Sequence, residues 1–182
     1  TLGAVIMDMN KYSSNFIAEM VLRTMGAEKH DEPGSNENGL QVVEAYLAGL
    51  GIQKETYALA NGSGLARGTR LSARQLSMVL IDMANDKIVG PEFVASLSIG
   101  GSDGTLSRRF DETDGTVRGK TGTIDGVHGL VGYVSVGGQK TAVVSFLVND
   151  LPKGSRPARE VHESIIDTIR SSWQESGLNG GN

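Results

Sequence analysis

A β-strand that carries a cation on one face is predicted by the stretch Val117-Arg118-Gly119-Lys120-Thr121-Gly122-Thr123-Ile124. Residues two apart on a strand point to the same side, so Lys120 and Gly122 share a face. The lysine gives that face a positive charge, and the glycine leaves space for another backbone to come close. The stretch therefore predicts a strand that can bind an extended chain.

A turn and two further strands follow this segment. Asp125-Gly126 is a strong two-residue hairpin signal. Val127–Val136, a Gly137-Gly138 turn and Gln139–Val148 complete a predicted three-stranded antiparallel meander, with the lysine strand at one end. The last strand is almost continuously apolar, so it requires cover on both faces and a partner on both edges. Only the preceding strand is available to pair with it, which predicts that further strands complete the sheet.

The rest of the sequence favours helices around this sheet. Apolar spacing, caps and stops predict five of them: Phe16–Met25 with Gly26 as C′ residue, Leu40–Leu50 with Gly51 as stop, a helix opened by the capping box Ser72-Ala73-Arg74-Gln75, Pro91–Leu97, and Pro157–Trp173. Leu2–Met9 is a short apolar entry, and Glu175–Asn182 is expected to fray. No repeat or long linker divides the chain, so one domain is predicted.

Composition limits the function classes. The 182 residues are 38% hydrophobic and 21% charged, as in a soluble globular domain. The net charge of -4 argues against a nucleic-acid partner, and no apolar run predicts a transmembrane segment. The chain has no cysteine, and its three histidines lack metal-ligand spacing. No cysteine or histidine metal site is therefore expected.

Two short segments have simple structural interpretations. Ser13-Ser14-Asn15 stands where a helix begins, and both residue types are good N-caps. Asn61-Gly62-Ser63-Gly64 marks a sharp turn, and it does not match the Gly-x-Ser-x-Gly nucleophile elbow.

The lysine strand also has other interpretations. Lys-Thr also ends phosphate-binding P-loops, but the glycine that such a loop needs is replaced by Asp114. Lys120 alone could equally be a solvated charge that protects a sheet edge.

Taken together and in order, several blocks resemble the class C low-molecular-mass penicillin-binding proteins, the D-alanyl-D-alanine carboxypeptidase/endopeptidases. Ser13-x-Asn15 resembles their second motif and Lys120-Thr121-Gly122 their third. The blocks are Asn10-Lys11-Tyr12-Ser13-Ser14-Asn15-Phe16-Ile17-Ala18-Glu19, Asn61-Gly62-Ser63-Gly64-Leu65-Ala66-Arg67, Asp103-Gly104-Thr105-Leu106-Ser107-Arg108-Arg109-Phe110, Gly119-Lys120-Thr121-Gly122-Thr123 and Gly129-Leu130-Val131-Gly132-Tyr133-Val134. Asn61 and Ala66 depart from the family's aspartate and serine.

The resemblance implies an α+β fold of the β-lactamase/transpeptidase-like type, with an antiparallel sheet flanked by helices. Residues 1–182 are then the C-terminal part of one penicillin-binding domain, with its three C-terminal sheet strands. The nucleophile motif Ser-x-x-Lys is absent, since no serine stands three places before any of the seven lysines. We expect an N-terminal half of the same protein to carry it, this chain being a product of truncation, cleavage or splitting.

The resemblance also implies roles for named residues. Ser13, Asn15 and Lys120 are expected to be catalytic, and Thr121, Gly122 and Thr123 are expected to bind substrate. The implied substrate is a peptidoglycan peptide or a β-lactam, and the implied location is the periplasm or another extracytoplasmic space. The implied reaction requires no metal and no organic cofactor.

The remaining charged residues of this region have simpler interpretations. Arg108, Arg109 and Arg118 are expected to be solvated, and His128 is expected to be a surface or packing residue.

Two alternatives stay open at this stage. A serine β-lactamase shares the Ser-x-Asn and Lys-Thr-Gly motifs but needs a deacylating base, and the best local mimic, Glu32-Pro33-Gly34-Ser35-Asn36, lacks a leucine of the expected pattern. A non-catalytic half-site that only binds peptidoglycan stem peptides is the other alternative.

Overall fold

The computed structural model describes residues 1–113, 115–137, 140–151, 154 and 156–179. Within these ranges, six α-helices surround a four-stranded antiparallel sheet of order β1-β2-β3-β4. The helices are α1 Leu2–Tyr12, α2 Asn15–His30, α3 Asn36–Gly49, α4 Ala73–Asn85, α5 Gly90–Ser96 and α6 Arg156–Asn179. The strands are β1 Ser98–Ile99, β2 Val117–Ile124, β3 Val127–Gly137 and β4 Lys140–Val148. The predicted α+β class is confirmed.

The predicted meander is confirmed as β2, β3 and β4. Asp125-Gly126 forms the β2–β3 turn, with Gly126 at a φ of +79° that suits glycine. The short strand β1, which the sequence did not predict, pairs with β2 at Arg118 and Gly119. Among the described residues, no strand pairs with the outer edge of β2 beyond Gly119.

Helices cover both faces of the sheet. On one face, the fully buried Ile166 of α6 packs with Leu130 and Val134 of β3. On the other face, Leu80 of α4 packs with Tyr133, whose hydroxyl donates a 2.6 Å hydrogen bond to the Leu80 carbonyl. Because side chains alternate along β3, adjacent residues supply the two cores.

Gly26 was wrongly predicted to follow the end of a helix. Helix α2 continues to His30, and Gly26 lies where α2 packs against α3. A Cβ on Gly26 would stand 2.6 Å from the backbone nitrogen of Gly39 in α3. The two glycines therefore allow the helix backbones to approach closely, which is a tertiary requirement that resembles a stop signal in sequence.

Both ends of the chain are more helical than predicted. The apolar entry belongs to α1, and α6 extends to Asn179, past the predicted end at Trp173. Of the tail that was predicted to fray, residues 175–179 belong to α6, whereas residues 180–182 lie outside the described residues, as does Gly138 of the predicted Gly137-Gly138 turn.

A buried polar cluster between α6 and the sheet corrects one prediction. Arg109 is 8% exposed, and its Nε donates to Glu163 Oε1 at 2.7 Å, so it is not a solvated arginine. His128 is a buried packing residue whose ring lies 5.3 Å from that of His162. Arg108 is exposed and Arg118 is half-buried.

No helix in the described part of the chain is long and apolar enough to cross a bilayer.

Candidate active site

Two adjacent serines between α1 and α2 have different surroundings. Ser14 is the N-cap of α2, and its hydroxyl accepts a 3.3 Å hydrogen bond from the Ile17 backbone N–H. Ser13 ends α1 in the left-handed conformation, with φ 53° and ψ 45°. This conformation is uncommon for a residue with a side chain, and it turns the chain sharply between the two helices. The cap interpretation of the triplet therefore applies to Ser14, and Ser13 is left available for another contact.

That contact is Lys120. The Lys120 Nζ donates to the Ser13 Oγ at 2.6 Å and to the Thr121 carbonyl at 2.7 Å. Burial lowers the pKa of Lys120, because removal from water disfavours the charged ammonium. A hydroxyl and a lysine with a lowered pKa thus lie within proton-transfer distance.

A groove of about 980 Å³ runs past this pair. One wall is formed by Ser13, Asn15 and the start of α2, and the other by the β2 residues 120–124. Asn15, Gly122 and Thr123 are exposed there. No atom lies within 4 Å of the position that a Cβ on Gly122 would occupy, so the groove is open at that point. The structure thus brings all six predicted site residues to one groove.

The Thr121 side chain contacts the segment that follows β1. Its hydroxyl donates a 2.9 Å hydrogen bond to the exposed Thr105 hydroxyl. Thr105 was missed as a residue near the site, because nothing in the spacing of Thr105 and Thr121 along the sequence predicts that they meet.

The loop of residues 61–67 closes the groove at another side. Glu19 of α2 accepts hydrogen bonds from the backbone N–H groups of Ser63 at 3.0 Å and Gly62 at 3.3 Å. Burial raises the pKa of Glu19, but the hydrogen bonds from Ser63 and Gly62 outweigh it, so that pKa lies below its usual range. Glu19 does not line the groove itself but holds the loop that does, a role that sequence reasoning missed although Glu19 stands four places after Asn15 on the same face of α2.

The arrangement offers acid–base and anion-binding chemistry. Lys120 makes this part of the groove positive, which favours a substrate carboxylate. No group of three or more histidine, cysteine or acidic side chains in the described ranges could hold a metal ion. The groove residues also include no serine with a lysine three places later, so the groove of this chain does not contain a Ser-x-x-Lys motif.

Comparisons with known sequences agree on one family. The profile of the D-Ala-D-Ala carboxypeptidase 3 (S13) family matches residues 1–171. A D-alanyl-D-alanine carboxypeptidase from Actinomadura sp. (strain R39) is 33% identical over 163 residues, which are 86% of this chain and 30% of that protein. The D-alanyl-D-alanine carboxypeptidase DacB of Haemophilus influenzae is 28% identical over 96% of this chain and 37% of its own length. The chain thus spans about a third of the curated relatives that it matches.

Solved structures share the fold. Penicillin-binding protein 4 (dacB) from Haemophilus influenzae superposes with a TM-score of 0.76 at 24% identity, covering 96% of this chain and 39% of that one. A structure of the same protein complexed with a β-lactam gives a TM-score of 0.73 at 26% identity, covering 96% and 41%. The transpeptidase-like architecture expected from the sequence is therefore confirmed.

Proposed function

This chain belongs to the D-Ala-D-Ala carboxypeptidase 3 (S13) family, and we propose that it forms one side of the active site of a serine-type D-alanyl-D-alanine carboxypeptidase/endopeptidase. The proposed substrate is the stem peptide of peptidoglycan, and the proposed location is the periplasm or another extracytoplasmic space, where that polymer lies. The observation that carries the proposal is the 2.6 Å contact of Ser13 Oγ with Lys120 Nζ at the open groove.

The proposed catalytic partner is an N-terminal half of the same protein that carries Ser-x-x-Lys. Two features of this chain support such a partner. The 182 residues contain no Ser-x-x-Lys of their own. In addition, β4 is paired only with β3 among the described strands, so its other edge can accept a strand. We use the term assembled protein for residues 1–182 together with the polypeptide that carries Ser-x-x-Lys.

The proposed reaction is acyl transfer through a serine ester. The serine oxygen of Ser-x-x-Lys attacks the carbonyl between two D-alanines while its proton passes to the neighbouring lysine. The C–N bond then breaks, and the Ser13 hydroxyl relays a proton to the leaving amine of D-alanine. Water hydrolyses the resulting ester and regenerates the serine. A β-lactam enters the same path, but its amine stays tethered to the acyl group, so the ester is expected to be long-lived.

The remaining groove residues would bind and orient the substrate. Asn15 would donate to a substrate amide carbonyl and hold the lysine of Ser-x-x-Lys. Lys120 and the Thr121 hydroxyl would attract the terminal carboxylate. The open edge of β2 at Gly122 would take the peptide as an added strand, and the Thr123 backbone N–H would serve as half of the oxyanion hole.

The lowered pKa of Lys120 supports the proton relay. An ammonium that is partly removed from water gives up its proton to a neighbour more readily than a solvated one. The adjacent Ser13 hydroxyl can therefore receive a proton from Lys120 as it passes its own to the leaving group, so that the relay needs no external acid.

The position of Glu32 argues against the β-lactamase alternative. Glu32 was the best mimic of a deacylating base, but it lies near the start of α3, where it accepts a 3.2 Å hydrogen bond from Asn38. It is not among the residues that line the groove. A base that deacylates a penicilloyl-serine has to reach a water at the ester, so the peptidase is the better supported function.

Labelling by fluorescent penicillin tests the proposal. The assembled protein is expected to form a covalent, long-lived acyl-enzyme and to release D-alanine from a peptide that ends in D-Ala-D-Ala. Rapid turnover of penicillin would instead indicate a β-lactamase. No labelling and no release, with peptide still bound, would indicate the non-catalytic half-site.

Matched lysine variants make this test specific. Lys120→Ala is expected to lower the rate of acylation by at least about 100-fold, the scale of a lost proton-transfer or charge-stabilising group. Lys29→Ala, an exposed lysine in the last turn of α2, serves as the control and should leave the rate unchanged. The need for a partner is tested separately, because a soluble, cooperatively unfolding monomer of residues 1–182 alone would contradict it.

A further inference from the structure

The last turn of α1 is tied to the segment that follows α5. Lys11 Nζ donates to the Asp103 carboxylate at 2.6 Å and to the Leu97 carbonyl at 3.0 Å. The Lys11 side chain is 13% exposed and the Asp103 side chain 35%, so this ion pair is partly shielded from water. One residue earlier, the buried Asn10 donates a 2.7 Å hydrogen bond to Ser96. The end of α1 is therefore held by partners on a different element of the chain.

Asp103 links the Lys11 ion pair to the sheet. Its second carboxylate oxygen accepts a 2.7 Å hydrogen bond from the Ile99 backbone N–H in β1. In the sheet register, β1 pairs with Arg118 and Gly119 of β2, which directly precede Lys120. A continuous set of hydrogen bonds thus runs from Lys11, two residues before Ser13, to the residue before Lys120.

The segment between β1 and Thr105 is also packed closely against α1. Gly104 has a φ of +56°, and a Cβ there would lie 2.8 Å from the Lys11 carbonyl oxygen. The Thr105 N–H donates to Ser98 Oγ at 3.1 Å, and the Thr105 hydroxyl accepts from Thr121. The segment therefore acts as a spacer whose thickness separates α1 from β2.

We propose that the Lys11–Asp103 ion pair holds the Ser13 loop at the correct distance from the lysine strand, so that Ser13 stays in contact with Lys120. Among the described residues, no hydrogen bond or ion pair joins Lys11 or Asp103 to Ser13 or Lys120, so both are positioning residues. The effect on catalysis rests on the function proposed above. The geometric effect does not.

Loss of the pair has a specific consequence at Lys120. Burial is the cause that lowers the pKa of Lys120, and the Ser13 hydroxyl at the end of α1 lies 2.6 Å from the Lys120 Nζ. If the end of α1 moves away, water reaches the ammonium and the pKa of Lys120 rises toward its ordinary value. The Ser13 hydroxyl also leaves proton-transfer distance, and a displacement of about 1 Å can cost on the order of 100-fold in rate.

The two partners of the pair carry opposite charges, which separates positioning from direct electrostatics. Neutralising Asp103 removes a negative charge and would by electrostatics alone lower the pKa of Lys120. Neutralising Lys11 removes a positive charge and would by electrostatics alone raise it. Loss of position raises the pKa in both variants, so the sign in the Asp103 variant decides the matter.

The experiment compares Lys11→Met, Asp103→Asn and a control, Glu160→Gln, which breaks an exposed ion pair on α6. Lys120 is titrated in the assembled protein by NMR of ¹³Cε-labelled lysine, with its signal assigned through Lys120→Arg. Both variants of the pair are expected to raise the pKa of Lys120 and to lower the rate of penicillin acylation about 10- to 100-fold. The control is expected to change neither.

The titration of Lys120 tests the positioning role, and penicillin labelling tests the proposed function, so each can be contradicted without the other. A lowered or unchanged pKa of Lys120 in a folded Asp103→Asn variant overturns the positioning role. Absence of penicillin labelling in the wild type overturns the proposed function, while the titration still decides the role of the pair. If either neutral variant fails to fold, Asp103→Ser takes its place, because its hydroxyl can still accept from the Ile99 N–H while the carboxylate that Lys11 binds is removed. It too should raise the pKa of Lys120, and an unchanged titration overturns the proposal.

Discussion

The Lys120 Nζ lies 2.6 Å from the Ser13 Oγ, although 107 positions separate the two residues in the chain. Ser14, the immediate neighbour of Ser13, faces α2 and caps it. Ser14 therefore stabilises the start of α2, and Ser13 makes a long-range contact at the groove.

Substitution of Ser14 is expected to affect stability, whereas substitution of Ser13 is expected to affect the rate of acylation. Ser14→Ala should lower the free energy of unfolding by about 1 kcal/mol through loss of the N-cap, with penicillin acylation unchanged. Ser13→Ala should leave stability nearly unchanged and reduce acylation by about 100-fold or more. Thermal unfolding and labelling rates of the assembled protein check both. Equal acylation rates in the two variants would contradict the role given to Ser13.

Two glycines of α3 provide a test of the α2–α3 packing. A Cβ on Gly39 would collide with the Leu22 backbone of α2, so Gly39→Ala should destabilise the assembled protein by about 3 kcal/mol. Gly49, at the other end of the same helix, has no atom within 4 Å of the position that a Cβ would occupy. Gly49→Ala should therefore be neutral or stabilise by up to about 1 kcal/mol through helix propensity. Denaturant titration measures both, and similar losses in the two variants would refute the packing argument.

Stability is expected to fall in mild acid because of His162. Burial lowers the pKa of His162 to about 4 from an ordinary 6.5, with nearby His128 and Arg109 adding to the effect. Between these pH values the unfolded chain binds more protons than the folded one. The stabilisation is therefore complete above pH 6.5 and is lost as the pH falls toward 4, by about 3 kcal/mol in total.

Replacement of His162 checks this pH dependence. His162→Phe keeps a ring against Phe146 and should reduce the slope of stability against pH in this window. His128 also has a pKa lowered by burial, so part of the slope should remain. The control is His30→Gln, an exposed histidine at the end of α2. A slope that His162→Phe leaves unaltered would show that His162 does not titrate on unfolding.

The buried ion pair of Arg109 with Glu163 should matter more than an exposed one. Glu163→Gln leaves the guanidinium buried without its carboxylate, and two of its nitrogens already lack a partner in the described structure. Because the Glu163 side chain is 34% exposed, water offsets part of the loss, and we expect a cost of about 2 kcal/mol. Glu160→Gln, in the exposed pair with Arg156, should cost less than about 0.5 kcal/mol. Calorimetry compares the two, and equal costs would contradict the distinction.

Local signals predicted much of the fold. The Asp125-Gly126 hairpin, the Ser72–Gln75 capping box and the helix start at Pro91 each depend on a few neighbouring residues, and the structure has all three. The order of the motif blocks likewise predicted the family, which the sequence comparisons confirm. The catalytic roles of Ser13, Asn15 and Lys120 remain predictions.

The partners of several polar and glycine residues became apparent only from the packed structure. Sequence alone could not tell that Gly26 faces Gly39, that Arg109 pairs with Glu163, or that Lys11 reaches Asp103, because each contact joins segments distant along the chain. Local backbone conformation depends on neighbouring residues, whereas burial and electrostatic pairing depend on which surfaces meet after the sheet and helices pack. Neighbouring residues therefore specified the three strands of the meander, the capping box of α4 and the family motifs, whereas the packing of the helices on the sheet specified which distant side chains meet.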